Sequence, residues 1–220
     1  MSMLDFIRMP APLFVPGHQS QRFSKAEAAA PQGIIIDLED AVGAELKDQA
    51  RAAAIAHLEV GAERTTPVLV RLNPLDTAPG VCDLVCVSRG ELLPDGLMIP
   101  KVESGRDIEI LRSHAREGIA LCALIETARG LERLAEISAA LRPGEALALG
   151  GADLVVDLNA RFSWDGLFAA RAALVQAAAK AGLVALDVPY LELDDEAGLR
   201  AECMRLRDMG RQASDLGFKA

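Results

Sequence analysis

Six apolar runs in this chain end in, or lead directly to, ionisable side chains. Residues 34–36 lead into Asp37, Glu39 and Asp40, residues 68–70 into Arg71, and residues 97–99 into Lys101 and Glu103. Residues 119–125 lead into Glu126, residues 146–149 into Asp153 through Gly-Gly-Ala, and the run 183–188 contains Asp187. Glu126 and Asp153 end successive runs, and Mg2+ takes such a carboxylate pair when waters and substrate oxygens fill its other positions. The structural alternative is that each carboxylate caps a helix or pairs with an arginine, with Asp153 a candidate N-cap. Arg71 carries a planar fork suited to a carboxylate, and an ion pair with Glu39 or Asp40 is compatible with that role. Glu39 and Asp40 are expected to orient Arg71, a metal-bound water or Lys101, or to touch ligand themselves. Lys101 could donate to a substrate oxygen or neutralise the surrounding acids, and a metal pair makes an imine-forming lysine redundant. Glu103 belongs either to the site or to a helix start.

The histidines and cysteines add little. His18 follows Pro-Gly and is placed for catalysis, whereas His57 and His114 fall in helical stretches and are expected at the surface. Cys82 and Cys86 form a lone pair without a nearby histidine, which does not make a zinc site. Asp157 reads as a solubilising helix or loop residue.

These groups need a scaffold that brings strand ends together. The apolar runs start at 33, 68, 97, 119, 146 and 183, close to the roughly 30-residue repeat of a βα unit. A further run at 13–15 precedes them. Helical periodicity fills the intervals at 104–118, 131–141, 164–181 and 196–216, with Gly182 as a stop signal. Residues 76–96 fit a helix or a strand. Runs that are apolar throughout point to a parallel sheet buried on both faces. The position after the first run reads Val-Pro-Gly-His, without the Gly-rich phosphate loop of an open dinucleotide-binding sheet. The expectation is therefore α/β, a TIM (β/α)8-type barrel formed by a single domain over 1–220, with the ionisable groups at its carboxyl edge. At 220 residues the chain is short of the typical length of about 250. Seven strands are visible, and the eighth unit is expected to be truncated at the C-terminus.

Composition narrows the class. Net charge is −9, from 23 basic and 32 acidic residues, and aromatics make up 4%. Neither feature suits nucleic-acid binding. No apolar run reaches the roughly 18 residues of a membrane span, and no signal peptide is evident. Four scattered cysteines fit a reduced, cytoplasmic protein.

Leu-Phe-Val-Pro-Gly (13–17), Gly-Ile-Ile-Ile-Asp-Leu-Glu-Asp-Ala-Val (33–42), Val-Arg-Leu-Asn (70–73), Pro-Lys-Val-Glu-Ser (100–104), Ile-Glu-Thr-Ala-Arg-Gly (125–130) and Gly-Gly-Ala-Asp-Leu (150–154) occur in this order. Together they resemble the citrate lyase beta subunit group of the HpcH/HpaI aldolase family, over nearly the whole chain. The resemblance implies a homotrimeric barrel that binds Mg2+ through Glu126 and Asp153. It further implies cleavage of a citryl-, malyl- or citramalyl-CoA type of 3-hydroxyacyl-CoA by retro-Claisen chemistry, with Arg71 on the oxo-acid carboxylate. An aldolase acting on free 2-oxo acids, or a catalytically weak oxo-acid-binding or lyase-assembly subunit, are the alternatives. Two departures accompany the resemblance. Pro10 and Ala11 replace the family's Arg-Ser, so Arg8 carries the substrate-binding arginine over only by proximity. The chain also stops at Gly-Phe-Lys-Ala (217–220), short of the family's Ile-His-Pro stretch and closing lid.

Overall fold

The computed structural model describes residues 6, 9, 11–60, 65–89, 94–192 and 194–209. Arg8, Pro10 and the 217–220 end, where the eighth unit is expected to be truncated, lie outside them, as do the last residues of the helix expected at 196–216. The strands are β1 (Leu13–Pro16), β2 (Ile34–Asp37), β3 (Val68–Arg71), β4 (Gly96–Ile99), β5 (Ala120–Ile125), β6 (Ala146–Leu149) and β7 (Val184–Leu186). They form one seven-stranded sheet in sequence order. The helices are α1 (Phe23–Ala28), α2 (Lys47–Val60), α3 (Ala78–Arg89), α4 (Gly105–His114), α5 (Ala128–Glu132), α6 (Leu134–Ala140), α7 (Gly151–Asp157), α8 (Trp164–Ala181) and α9 (Glu196–Met209). The fold is α/β of the TIM-barrel type.

The described residues group into two compact units. The first contains the described residues of Pro12–Pro100 and Glu109–Leu121, and the second contains Lys101–Ile108 and the described residues of Asp5–Ala11 and Cys122–Ala220. In the first unit, β1, β2 and β3 pair in parallel, with Pro16 opposite Asp37 and Asp37 opposite Arg71. Registered residues on neighbouring parallel strands share a face, so the last side chains of β2 and β3 lie side by side. All four residues of β2 and of β4 are buried, as expected for strands covered on both faces. Strand β1 differs, with Leu13 and Phe14 exposed.

In the second unit, Ile125 of β5 pairs with Leu149 of β6, and Ala148 of β6 with Leu186 of β7. This register sets Glu126 beside Gly150. Helix α8 starts where the Ser163 side chain accepts the Gly166 amide and ends at Gly182, whose φ of +68° suits glycine. Thr127 caps α5 in the same way through Gly130. The apolar stripe expected as one helix over 131–141 is interrupted at Arg133, which leaves the helical region and separates α5 from α6. Helix α9 is pinned by charge. Arg171 is buried, meets Asp187 at 3.0 Å and Glu202 at 2.7 Å, and lies over the Trp164 ring at 4.6 Å. No described helix is long and apolar enough to cross a membrane.

Candidate active site

Arg71 ends β3 inside an acidic cluster of the first unit. Its Nε and Nη2 donate to the two oxygens of Asp37 at 2.7 and 2.6 Å, a bidentate pair. Its Nη1 reaches Glu39 at 3.0 Å and Asp40 at 3.5 Å. Burial opposes the charge of Arg71. The hydrogen bonds and charge of Asp37 overcome that cost, with help from Glu39 and Asp40, and hold the guanidinium protonated well above arginine's ordinary range. The carboxylate of Asp37 also accepts the amides of Glu39 at 2.9 Å and Ala41 at 3.1 Å. Lys47, from α2, donates to the carbonyls of Leu38 at 2.8 Å and Glu39 at 2.7 Å. The Asp-Leu-Glu-Asp turn is thus fixed from both sides, and it fixes Arg71. Glu39 and Asp40 stand on Arg71, one of the arrangements expected for them. Asp37 was not among the expected site residues. Its signal was positional, since it closes β2 at the same register as Arg71 closes β3.

The loop after Arg71 is anchored as firmly. Asp83, fully buried in α3, accepts the Asn73 amide at 2.8 Å, the Asn73 side chain at 2.6 Å and Arg51 Nε at 2.7 Å.

The second unit holds Lys101, Glu126 and Asp153. Glu126 follows β5 and is only 3% exposed. Its Oε1 accepts the Lys101 amide at 2.8 Å. Its carboxylate also lies against Gly150, where a Cβ would meet Oε2 at 2.3 Å. Glycine is therefore required here by close approach. Asp153 sits in the first turn of α7, whose N-cap position is Gly150, so Asp153 is not the cap that its sequence position allowed. Lys101 Nζ donates to Asp153 Oδ2 at 2.7 Å and lies 4.0 Å from Glu126 Oε1. Lys101 itself has a φ of +51°, which costs a residue with a side chain about 1–2 kcal/mol. No group of three or more His, Cys, Asp or Glu gathers for a metal among the described residues. A divalent ion held here would rest on two carboxylates. An all-oxygen donor set of that size fits Mg2+, which retains water and substrate ligands.

The remaining candidates resolve structurally. Glu103 pairs with Arg129 at 3.1 Å, while the Glu103 and Ser104 amides donate to Asp107 at 2.9 Å each, half of a capping box at the start of α4. Asp157 accepts the Ala128 amide at 2.6 Å, which ties α7 to the start of α5. His18 meets the Gln19 side chain at 3.2 Å. His114 is exposed as expected, but His57 is not a surface residue. It is half-buried, with its ring 4.9 Å from that of Phe23 and its Nε2 3.3 Å from Glu27. Cys82 and Cys86 are free thiols.

Known proteins share this arrangement of elements and sequence. A (3S)-malyl-CoA thioesterase of Cereibacter sphaeroides is 38% identical over 200 residues, covering 90% of this chain and 69% of the relative. The citrate lyase subunit beta of Escherichia coli is 33% identical over 216 residues, covering 93% and 71%. Among solved structures, the CitE protein of Mycobacterium tuberculosis in complex with magnesium, acetoacetate and coenzyme A superposes with a TM-score of 0.77 at 30% identity, covering 96% of this chain and 79% of that one. The profile of the HpcH/HpaI aldolase/citrate lyase family matches residues 11–216, and with relatives of this likeness the chain belongs to that family.

Proposed function

We propose that this chain is a Mg2+-dependent carbon–carbon lyase that cleaves a 3-hydroxyacyl-CoA of the citryl-, malyl- or citramalyl-CoA type into an oxo acid and an acyl-CoA. The observation that carries this reading is the buried Glu126 carboxylate, seated against Gly150 and within reach of the same lysine as Asp153. Glu126 and Asp153 are the residues that would hold the ion. Bound there, Mg2+ supplies Lewis-acid polarisation of the substrate's oxygen atoms. The residues of the chain do the rest. Lys101 balances the two acids, and its amide holds the Glu126 carboxylate in place. Arg71, kept charged and fixed in orientation by Asp37, is the group assigned to a substrate carboxylate. In the cleavage the hydroxyl gives up its proton, and the electron pair of the C–C bond passes to the carbon next to the thioester. That enolate then takes a proton to become the acyl-CoA. Fixed donors aimed at the developing charge supply the largest part of such catalysis.

The relatives support this reading. One acts on malyl-CoA, and the mycobacterial structure holds magnesium, an oxo acid and coenzyme A together. The first of these is called a thioesterase, which favours hydrolysis of the thioester as the second reading. The proposal also carries the expected homotrimeric assembly and cytoplasmic location. The test is incubation with malyl-CoA and citramalyl-CoA in Mg2+, with EDTA as control and products resolved by chromatography. Oxo acid and shortened acyl-CoA in equal amounts support the lyase. Free hydroxy acid and CoA support the hydrolase. Turnover of hydroxylated 2-oxo acids without CoA identifies an aldolase, and no turnover at all leaves a binding or assembly subunit.

A further inference from the structure

The two carboxylates assigned to the metal already face a cation. The Lys101 ammonium lies 2.7 Å from Asp153 Oδ2 and 4.0 Å from Glu126 Oε1. The lysine reaches this position from left-handed backbone, with φ at +51°, a region that residues with side chains enter when the surrounding structure holds them there. The same backbone points its amide at Glu126 Oε1 at 2.8 Å. One residue thus addresses Glu126 with its main chain and Asp153 with its side chain. Both charged partners are only partly exposed, 39% for the lysine and 42% for the aspartate, so the pair is neither buried beyond exchange nor fully screened.

We propose that Lys101 is a built-in competitor of the metal, an internal cation that must release Asp153 before a divalent ion can occupy the Glu126–Asp153 pair. The inference rests on the reading of those two carboxylates as the metal ligands. Its physical basis is that an ammonium at 2.7 Å from Asp153 and a divalent cation bound to the same carboxylate repel at short range. The lysine therefore keeps the acids neutralised when no ion is bound, and it weakens metal affinity by the strength of its own contact. The two carboxylates supply the affinity of the site for Mg2+, and Lys101 tunes it downwards.

Titration of MgCl2 into the full chain by calorimetry tests this on four proteins: wild type, Lys101→Met, Lys101→Arg and Glu126→Gln. Removing a partly exposed ion pair and the repulsion that goes with it predicts Mg2+ binding about three- to tenfold tighter in Lys101→Met. Lys101→Arg retains the cation and stays close to wild type, while Glu126→Gln loses binding. Should Lys101→Met prove unstable, Lys101→Gln provides the neutral side chain for the same titration, and its expected result is the same tightening. Unchanged or weaker Mg2+ binding in both neutral variants, with binding still abolished by Glu126→Gln, overturns the competitor role and leaves the metal pair standing. Wild-type binding that survives Glu126→Gln unaltered overturns the metal assignment itself, and the inference with it.

Discussion

Adding one methyl group at Gly150 is the sharpest perturbation of the Glu126 seat. A Cβ built on Gly150 would lie 2.3 Å from Glu126 Oε2, 2.5 Å from its Cβ and 3.1 Å from its Cδ. Ordinary contacts between such atoms begin near 3.5 Å, so the carboxylate must retreat by about 1 Å. Glu126 has little freedom to do so, because it is buried and its Oε1 is held by the Lys101 amide at 2.8 Å. Overpacking of this kind costs about 1–3 kcal/mol, and losing the charge-assisted bond from Lys101 adds about 1.5–3 kcal/mol where the carboxylate swings out completely. For a chain of this size each kcal/mol lowers Tm by about 2–4 °C. Gly150→Ala is therefore expected to melt several degrees below wild type in a calorimetric scan and to bind Mg2+ at least tenfold more weakly. Gly118→Ala is the control, since Gly118 requires glycine for its left-handed backbone, φ +95°, rather than for close approach, and no atom lies within 4 Å of its added Cβ. That variant loses stability without losing Mg2+. A Gly150→Ala protein with wild-type Tm and wild-type Mg2+ affinity refutes the seat as described.

Three other perturbations follow from the same geometry. Arg71→Lys keeps the charge but loses the two-pronged contact with Asp37, so KM for a carboxylate-bearing substrate should rise about ten- to a hundredfold in steady-state assays. Asp187→Asn leaves the buried Arg171 guanidinium with Glu202 as its charged partner, and denaturant titration should show a loss of about 3 kcal/mol. Burial pushes the Glu202 carboxyl above its ordinary value despite the opposing charge of Arg171. The folded chain then holds more protons than the unfolded chain just above the ordinary glutamate pKa, so this group's contribution to stability is present below that value and lost as pH rises through the folded one. Glu202→Gln should flatten that fall in urea-denaturation free energies measured from about pH 4 to 7, and a slope unchanged from wild type contradicts it.

Much of the scaffold was legible because its strands are buried on both faces and so read as unbroken apolar runs. Helix α8 was legible to the residue, since Ser163 and Gly182 mark its ends chemically. The segment 76–96 was not, because its helix α3 turns inward a fully buried carboxylate, Asp83, that satisfies Asn73 and Arg51. A buried charge interrupts the apolar face from which a helix is recognised, and the exposed Val81 and Val85 blur the polar one. The periodic stripe at 131–141 concealed the break at Arg133, because Leu134 and Ile137 of α6 continue the spacing that Leu131 of α5 begins. In the two clusters, strand-end positions singled out Arg71, Lys101, Glu126 and Asp153, but not the contacts that hold them. Asp37 looked like the last residue of a strand, and only the pairing register places it on Arg71. The left-handed conformation of Lys101 had no glycine to announce it. The polarity of His57 points it to solvent, yet Phe23 and Glu27 give its ring both an apolar and a charged neighbour.

The most direct test of the central claim is a crystal soaked with Mn2+, as an anomalous stand-in for Mg2+, together with oxaloacetate. The account predicts an anomalous peak coordinated by Glu126 and Asp153, oxo-acid density on that ion, and the Lys101 ammonium moved off Asp153. A peak bound to other residues, or none while Lys101 remains at its present 2.7 Å from Asp153, contradicts it.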